Sequence, residues 1–367
     1  MSNTITRALD KKEADTFLVT KQSFSSDLTH WYSQHKRDLP WRRTKDPYKI
    51  WVSEIMLQQT TVNTVIAFYE RWIKSFPTVH DLARAPLQTV LKQWQGLGYY
   101  NRAKNLHKAA FLFVNEHKGM IPQDPDIIRS LPGFGPYTTG SVLSIAYDIP
   151  LTIIDANVRR VVMRILALPG IADTKQDLKV NEFLCEVLPT KDIGDFNQAL
   201  MELGALVCRA KEPACLACPV NKCCQAYKEG KEKIIPQTKK KIIQEIKAVI
   251  AIIKKDDKYF IQKRPSKGLL ADLWEFPGGK IKGGESKKKA LARELNEELG
   301  VRLKSSKHLF EVHHFYTQFK VHLSVFACRL EQDPETDATH KWVTDKGFSR
   351  YPMPSGSAKI IEKLFVK

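Results

Sequence analysis

Four cysteines near the middle of the chain constrain its fold more than any other feature. Their spacing is Cys208-x6-Cys215-x2-Cys218-x5-Cys224, and Cys223 is an alternative fourth member of the set. Four thiolates suit tetrahedral zinc or the corners of an iron–sulfur cluster. One close pair between two wider arms suits a cube better than a zinc ribbon, although spacing alone leaves both open. The surrounding stretch is too polar for a core, so the sequence predicts a metal or cluster site.

Length and charge set further limits. The 367 residues suffice for two or three domains, and Lys plus Arg exceed Asp plus Glu by 18. Such an excess indicates a polyanionic partner, most simply nucleic acid. No apolar run reaches the ~18 residues of a membrane span, and the N-terminus lacks the apolar segment of a secretory signal. We therefore expect a cytoplasmic, nucleoid-associated protein that does not contact membranes.

Periodicity divides the chain into an all-α part followed by an α+β part. Apolar residues recur at helical spacing in the first part, for example from Tyr48 to Phe76. In the second part, 248–253 and 321–327 predict strands, and 287–299 predicts a helix ended by Gly300. The predicted segments are a poorly ordered leader (1–23), a helical domain (24–228), a basic linker (229–244) and an α+β domain (245–367).

A glycine-rich turn lies inside the helical part, at about 127–145. Gly133 and Gly135 alternate with Pro132, Phe134 and Pro136 in this turn. Alternating glycines allow a tight hairpin with exposed backbone N–H groups, and a helix N-terminus follows. This arrangement binds a phosphate without reading a base, although an ordinary helix–helix turn would look similar.

Together the hairpin and the cysteine run resemble the endonuclease III superfamily of DNA glycosylases over roughly residues 25–228. Within it, 51–60 (WVSEIMLQQT) and 96–100 (GLGYY) resemble the MutY family of adenine DNA glycosylases. The resemblance implies a [4Fe–4S] cluster on Cys208, Cys215, Cys218 and Cys224. It also implies a monomeric base-excision repair enzyme that removes adenine opposite 8-oxoguanine or guanine in duplex DNA. Tyr137 stands where bifunctional relatives carry a Schiff-base lysine, which implies a monofunctional enzyme that leaves an abasic site.

Cleavage of a purine N-glycosidic bond needs one acid and one carboxylate anion. The resemblance assigns the acid to Glu54 and the anion to Asp155, with Asn157 and Tyr137 in support. Glu54 lies among apolar residues, which would raise its pKa, whereas the simpler alternatives are an exposed helix residue for Glu54 and a helix N-cap for Asp155. Ala156 replaces the usual glycine of this motif, at a cost of ~1 kcal/mol if its φ must be positive.

A base inside a duplex must be flipped out to reach such a pocket, at a cost of roughly a few kcal/mol. The resemblance assigns side chains to fill the gap, and glycine neighbours indicate that Leu97 and Tyr99 form an exposed tip rather than core. The predicted DNA-binding residues of the helical part are Arg42, Gln59, Thr60, Leu97, Tyr99, Gly133 and Gly135.

The second domain resembles the Nudix fold, which MutY-family proteins use to recognise 8-oxoguanine. Here Thr317 and Gln318 take the positions of the recognition loop. Residues 279–301 (GKIKGGESKKKALARELNEELGV) match the complete signature of Nudix hydrolases, here called the Nudix box. Within it, Glu294, Glu297 and Glu298 share one face of a helix. Three close carboxylates could bind Mg²⁺, but we favour salt bridges with nearby lysines.

Three rival functions follow from the same residues. The complete box allows a Nudix-type nucleotide pyrophosphohydrolase. A DNA-binding module without catalysis is a second rival, and a bifunctional glycosylase/lyase is a third.

Overall fold

The computed structural model describes residues 11–238, 243–316 and 319–365, with side chains from Ser23 onward except that of Tyr316. The chain forms two compact units, one of residues up to 73 with 112–239 and one of residues 74–111 with 240–367. The order of elements confirms the predicted fold class, a helical part followed by an α+β part. The predicted domain boundaries stay a prediction.

Helices account for the regular structure up to residue 228. They are α1 (Lys11–His35), α2 (Pro47–Leu57), α3 (Val62–Ser75), α4 (Val79–Arg84), α5 (Leu87–Trp94), α6 (Asn101–Glu116), α7 (Pro125–Arg129), α8 (Pro136–Tyr147), α9 (Ala156–Ile165), α10 (Asp177–Val187), α11 (Ile193–Leu206) and α12 (Gln225–Lys228). Helix α1 begins inside the predicted leader, because the sequence between Lys11 and Phe24 contains no glycine or proline. The periodic stretch from Tyr48 is broken at 58–61, where Gln59 has a φ of 57°.

Helices α1, α9, α10 and α11 enclose the core of the first unit, with Leu28, Val162, Leu184 and Leu200 fully buried. A side chain at Gly204 in α11 would place its Cβ 2.7 Å from the Cβ of Asn157. Glycine is therefore required where α9 and α11 meet, and this close approach fixes the start of α9 against α11.

The second unit is built on a mixed sheet. Its strands are β1 (Gln244–Lys255), β2 (Lys258–Lys263), β3 (Trp274–Glu275), β4 (Gly278–Lys280), β5 (Leu303–Tyr316), β6 (Phe319–Leu330) and β7 (His340–Thr344), and its C-terminal helices are α13 (Lys287–Leu299) and α14 (Ser355–Phe365). The strand order is β3-β2-β1-β6-β5, with β4 on β1 and β7 on β2. Leu291 of α13 packs with Val249, and Ile360 of α14 packs with Ala248. Because neighbouring strand residues point to opposite faces, the helices cover the two sides of the sheet.

The segment 74–111 packs against the sheet domain within this unit. The Lys104 ammonium pairs with the carboxylate of Asp272, and the Trp274 indole donates to Gln88 Oε1 at 3.0 Å. The Tyr100 hydroxyl donates to the carbonyl of Met353 at 3.2 Å. Across the described ranges, no helix is both long and apolar enough to cross a membrane.

Candidate active site

Glu54 is buried on a helix that is apolar on most sides. Pro47 occupies the first turn of α2, and Asp46 caps it by accepting from the Tyr48 N–H at 2.9 Å. Most of the helix is buried, and Glu54 itself is 4% exposed. The alternative of an exposed helix residue is therefore wrong. Burial raises the pKa of Glu54, while hydrogen bonds from Tyr137 and Ser141 oppose that shift.

Tyr137 reaches Glu54 from the helix that follows the glycine hairpin. Its hydroxyl donates to Glu54 Oε2 at 2.6 Å and lies 3.4 Å from the sulfur of Met201. Burial, the charges of Glu54 and Asp155 and the hydrogen bond to Glu54 all raise the pKa of Tyr137 well above its ordinary value. The phenol therefore stays protonated at neutral pH and acts as a donor.

Asp155 caps helix α9, as the simpler alternative predicted. Its Oδ1 accepts from the Val158 N–H at 2.6 Å, and its Oδ2 accepts from Asn157 Nδ2 at 2.9 Å. Burial raises the pKa of Asp155, and these hydrogen bonds oppose that shift. Ala156 is the first residue of α9 and does not have a positive φ, so the expected strain at this position is absent.

The two carboxylates line one cavity in the first unit. Its volume is about 590 Å³, which is within the range of small-ligand sites. The lining includes the four predicted catalytic residues and three of the predicted DNA contacts, Arg42, Gln59 and Thr60. The residues of the cavity that the argument uses are Arg42, Glu54, Gln58, Gln59, Thr60, Tyr137, Asp155, Asn157, Gln198, Met201 and Glu202. Within the described residues, neither Glu54 nor Asp155 makes an ion pair.

Arg42 lies at this cavity in an ion pair that the sequence did not predict. Both Arg42 and Arg37 donate two side-chain hydrogen bonds to Glu202, which is 1% exposed. These bonds outweigh the effect of burial and lower the pKa of Glu202 to about 2. Arg42 thus forms an ion pair with the buried Glu202 carboxylate and also lines the cavity. Its proposed contact with DNA remains a prediction.

Sequence reasoning missed Glu202 as well as Gln198 and Met201, which also line the cavity. A signal existed for Glu202, because it is an acidic residue inside the apolar stretch 199–206. That stretch was predicted only as part of the helical domain. The charge partners of Glu202 lie about 160 residues away in sequence, and periodicity gives no information about such pairs.

The glycine hairpin has the geometry that the sequence predicted. Gly133 has a φ of 86°, and Gly135 precedes α8, whose first turn has no side-chain cap. A Cβ at Gly135 would meet no atom within 4 Å. The backbone N–H groups at the start of α8 are therefore open on this side to an anion.

Leu97 and Tyr99 belong to a tight loop in the second unit. Tyr99 has a φ of 48° and is 39% exposed, in agreement with an exposed tip. Leu97 is only 6% exposed, so the prediction of an exposed tip was wrong for this residue. The Trp94 indole donates to the Gly98 carbonyl at 2.9 Å, which folds the loop back and directs Leu97 inward. Thr317 and Gln318 lie outside the described residues.

The four predicted ligands in the cysteine loop lie close enough to influence one another electrostatically. Burial raises the pKa of Cys218 to about 12, and the other three predicted ligands act on it electrostatically. Burial also raises the pKa of Cys223, but the charged groups that act on it are Lys228 and Asp27. The arrangement therefore favours Cys224 over Cys223 as the fourth member. Among the described residues, no three His, Cys, Asp or Glu side chains are arranged to hold a single metal ion.

The glutamates of α13 are bonded to protein groups. Arg293 donates to Glu285 at 2.9 Å, to Glu294 at 2.7 Å and to Glu297 at 2.9 Å. Glu298 accepts from a glutamine side chain at 2.7 Å and from a backbone N–H at 3.0 Å. The expectation of lysine partners was wrong for the main contacts, because the arginine inside the box takes that place.

Two regions of the chain match known families. Residues 52–189 match the family described as "HhH-GPD superfamily base excision DNA repair protein", and residues 248–363 match "NUDIX domain". The solved structure of a thermostable thymine-DNA glycosylase is similar, with a TM-score of 0.53 and 28% identity over 58% of this chain and 99% of that one. The fold and the cavity thus define a helix-hairpin-helix DNA glycosylase, a hydrolase of N-glycosyl bonds, with a Nudix domain attached.

Full-length relatives narrow this class. The chain is 33% identical to the adenine DNA glycosylase of Buchnera aphidicola (Acyrthosiphon pisum), over 94% of this chain and 98% of the relative. It is also 33% identical to the adenine DNA glycosylase of Homo sapiens, over 92% of this chain and 73% of the relative. The chain belongs to the adenine DNA glycosylase family of base-excision repair enzymes.

Proposed function

We propose that the protein removes adenine paired with 8-oxoguanine or guanine in duplex DNA and leaves an abasic site. One observation carries the proposal. Two carboxylates, the buried Glu54 and the partly buried Asp155, line a single cavity without an ion-pair partner in the described chain, and the Tyr137 hydroxyl donates a hydrogen bond to Glu54. This pair supplies the acid and the anion that N-glycosidic cleavage needs.

The surroundings of the two carboxyl groups assign the proton to Glu54. Burial raises both pKa values. Asp155, however, accepts a backbone N–H at the positive end of α9 as well as an amide N–H, and both favour its ionised form. Glu54 accepts hydrogen bonds from the Tyr137 and Ser141 hydroxyls, but it is 4% exposed on a mostly buried helix and has no backbone N–H donor, and burial is the largest effect on its pKa. We therefore assign the acid to Glu54 and the anion to Asp155.

The reaction follows from these states. Glu54 gives its proton to N7 of adenine, and the electrons of the C1′–N9 bond leave with the base. Asp155 stabilises the oxocarbenium-like sugar, directly or through a transient bond to C1′, and helps water attack there while accepting a proton from it. Asn157 orients Asp155, and Tyr137 orients Glu54. Tyr137 offers no amine, so no Schiff base forms and the strand stays intact.

Duplex DNA reaches this cavity only with the adenine flipped out. Within the first unit, the amides after Gly135 are suited to one backbone phosphate, and the exposed Gln59 is suited to the gap that the flipped base leaves. The exposed Tyr99 of the second unit stays a predicted DNA contact. A second cavity of about 460 Å³ lies within the second unit, lined by residues that include Tyr99 and Phe315. Its size and aromatic lining suit a nucleobase, which supports recognition of 8-oxoguanine by the second unit.

Four cysteines that influence one another electrostatically match in number and chemistry a [4Fe–4S] cluster, which binds one thiolate at each iron. Cys208, Cys215, Cys218 and Cys224 would hold it. When bound, the cluster cross-links the loop 208–224 and adds no step to base removal. The Nudix glutamates already have protein partners, so Mg²⁺ has no part in the proposal.

Single-turnover release of adenine tests the proposal. The substrates are duplexes with one adenine opposite 8-oxoguanine, guanine or thymine. We expect fast release opposite 8-oxoguanine, slower release opposite guanine and none opposite thymine, with no borohydride-trapped adduct. Equal rates of adenine release from all three duplexes would contradict the proposed mispair specificity. A borohydride-trapped adduct would contradict the proposed monofunctional mechanism.

A further inference from the structure

Arg164 is a fully buried arginine that is bonded around the cysteine loop. It lies in the last turn of α9 and is 2% exposed. Its guanidinium donates to Cys208 Sγ at 3.3 Å and to the carbonyls of Arg209 at 2.7 Å and Ala210 at 3.3 Å. Its Nε donates to the carbonyl of Ile235 at 2.7 Å. One side chain therefore joins the first cysteine of the loop to the chain on both sides of it.

The last cysteine of the set also contacts Arg164. The Cys224 thiol lies 3.4 Å from the Arg164 carbonyl oxygen. Backbone and side chain of this residue therefore touch both ends of the four-cysteine set, and no other described residue is hydrogen-bonded to both of these sulfurs. Arg164 is positioned by the loop that would enclose a cluster.

The charge of Arg164 has no carboxylate partner among the described residues, since every acceptor of its guanidinium is a carbonyl oxygen or the cysteine sulfur. Arginine does not lose its proton in proteins, and a buried charge without an opposite charge is costly. Carbonyl dipoles reduce this cost without removing it. A negative charge near Cys208 would offset the remaining cost, and thiolates bound to iron supply one.

We propose that Arg164 is the counter-charge of the iron–sulfur cluster and sets its reduction potential and its retention. This inference rests on the cluster under "Proposed function" and adds a role for a residue that binds no iron. An N–H···S hydrogen bond and a buried positive charge both stabilise the more reduced cluster, because that form carries one more electron. Loss of Arg164 must then shift the potential to more negative values.

Protein-film voltammetry of the full-length holoprotein tests this shift. We expect R164Q to change the one-electron equilibrium by about tenfold, or about 59 mV towards negative potential. R164K keeps the charge but loses the forked donor, so its shift should be smaller. R209Q is the matched control, because Arg209 lies exposed in the same loop, and its potential should equal that of the wild type.

Iron content and the rate of cluster loss under a mild oxidant give a second readout, with circular dichroism as a check on folding. Faster loss in R164Q, with helical content and R209Q unchanged, supports the inference. An unchanged potential and unchanged iron retention in R164Q overturn it. Joint loss of iron and helical fold in both Arg164 variants also overturns it, since Arg164 would then serve the fold. A wild type without iron instead removes the cofactor proposal itself.

Discussion

Each compact unit carries a group of carboxylates, and the two groups have different partners. In the first unit, Glu54 is buried and accepts a hydrogen bond from a phenol, and Asp155 is partly buried and accepts from a backbone N–H and an amide. In the second unit, Arg293 takes up Glu285, Glu294 and Glu297 through charged hydrogen bonds. Neutral donors hold the first pair in place without neutralising it, whereas a fixed cation neutralises most of the second group.

The difference shows which acidic residues remain available for chemistry. A carboxylate already bound to a guanidinium has its pKa lowered and is a poor proton donor at neutral pH. Burial beside neutral donors has the opposite effect on Glu54 and favours proton transfer. The complete Nudix box therefore carries the side chains of a metal site while the arginine inside it holds two of the three glutamates of α13.

Replacement of Asp155 should have the largest effect. Asparagine caps helices as well as aspartate, so D155N should keep α9 and the melting temperature while it removes the anion. We expect adenine release in single turnover to fall at least about 10²–10³-fold. D46N changes the matching N-cap of α2 and should keep its activity. An active D155N enzyme would contradict the role of Asp155.

Replacement of Glu54 should separate activity from stability. Without the acid, E54Q should release adenine about 10²–10³-fold more slowly. The folded-state pKa of Glu54 is raised, so its stabilising form is the protonated one, and this contribution is lost as pH rises through the folded pKa. E54Q should therefore melt at a higher temperature than the wild type at neutral pH, and the difference should grow with pH.

Thermal unfolding across a pH series measures this difference. E70Q is the control, because Glu70 is exposed on α3 of the same unit. A melting temperature of E54Q below that of the wild type at every pH would show that the Glu54 carboxylate stabilises the fold, as the glutamates around Arg293 do. The contrast between the two groups would then fail.

Glu202 allows the two kinds of carboxylate to be compared within the first unit. It lines the same cavity as Glu54, but it is ion-paired with arginines, as are the glutamates around Arg293. Hydrogen bonds from Arg37 and Arg42 overcome burial and lower its pKa from 4.5 to about 2. Its stabilising contribution is thus present above about pH 4.5 and is lost as pH falls towards about 2. E202Q leaves two guanidinium groups without their partner and should cost about 3 kcal/mol at neutral pH.

Chemical denaturation at neutral and acid pH measures that cost. The free energy of unfolding of E202Q should lie below that of the wild type at neutral pH, and this difference should narrow as the pH falls. The sign is opposite to that expected for E54Q, which should be more stable than the wild type. R43Q offers a control, since the exposed Arg43 pairs with the exposed Asp38 and should contribute little. An E202Q protein as stable as the wild type at neutral pH would show that the pair adds nothing to the fold.

Local features were predictable from sequence, and distant partners were not. The helix predicted at 287–299 is α13, because Ser286 caps its start and Gly300, with a φ of 66°, ends it. The contact between Glu54 and Tyr137 joins residues 83 positions apart, and only the family resemblance brought them together. Residue types and their spacing in the sequence do not reveal that these two side chains are in contact.

Two predictions were wrong, those for Leu97 and for the partners of the α13 glutamates, and one partner, that of Arg42, was missed while its contact with DNA stays a prediction. Leu97 lies between two glycines, which indicated an exposed tip, but the loop folds back and buries its side chain. Arg42 was assigned to DNA without its partner Glu202, and the glutamates of α13 were assigned to lysines although Arg293 is in the same turns of the helix. For Leu97 and Arg42 the folding back of the loop and the packing of α11 decide the surroundings, and hydrophobic periodicity does not report them. Arg293, by contrast, lies on α13 itself, and its i, i+4 spacing to Glu297 was a local signal that was overlooked.

Replacement of Glu297 should have the smallest effect and completes the comparison. Glu297 is half exposed, and Arg293 keeps Glu285 and Glu294 when Glu297 is lost. Exposed ion pairs contribute about 0.2–1 kcal/mol, so E297Q should lower the free energy of unfolding by no more than that and leave adenine release unchanged. Denaturant unfolding and single-turnover release measure the two quantities. A large loss of adenine release in E297Q would give the Nudix carboxylates a part in base removal, and the division between one reactive group and one neutralised group would have to be abandoned.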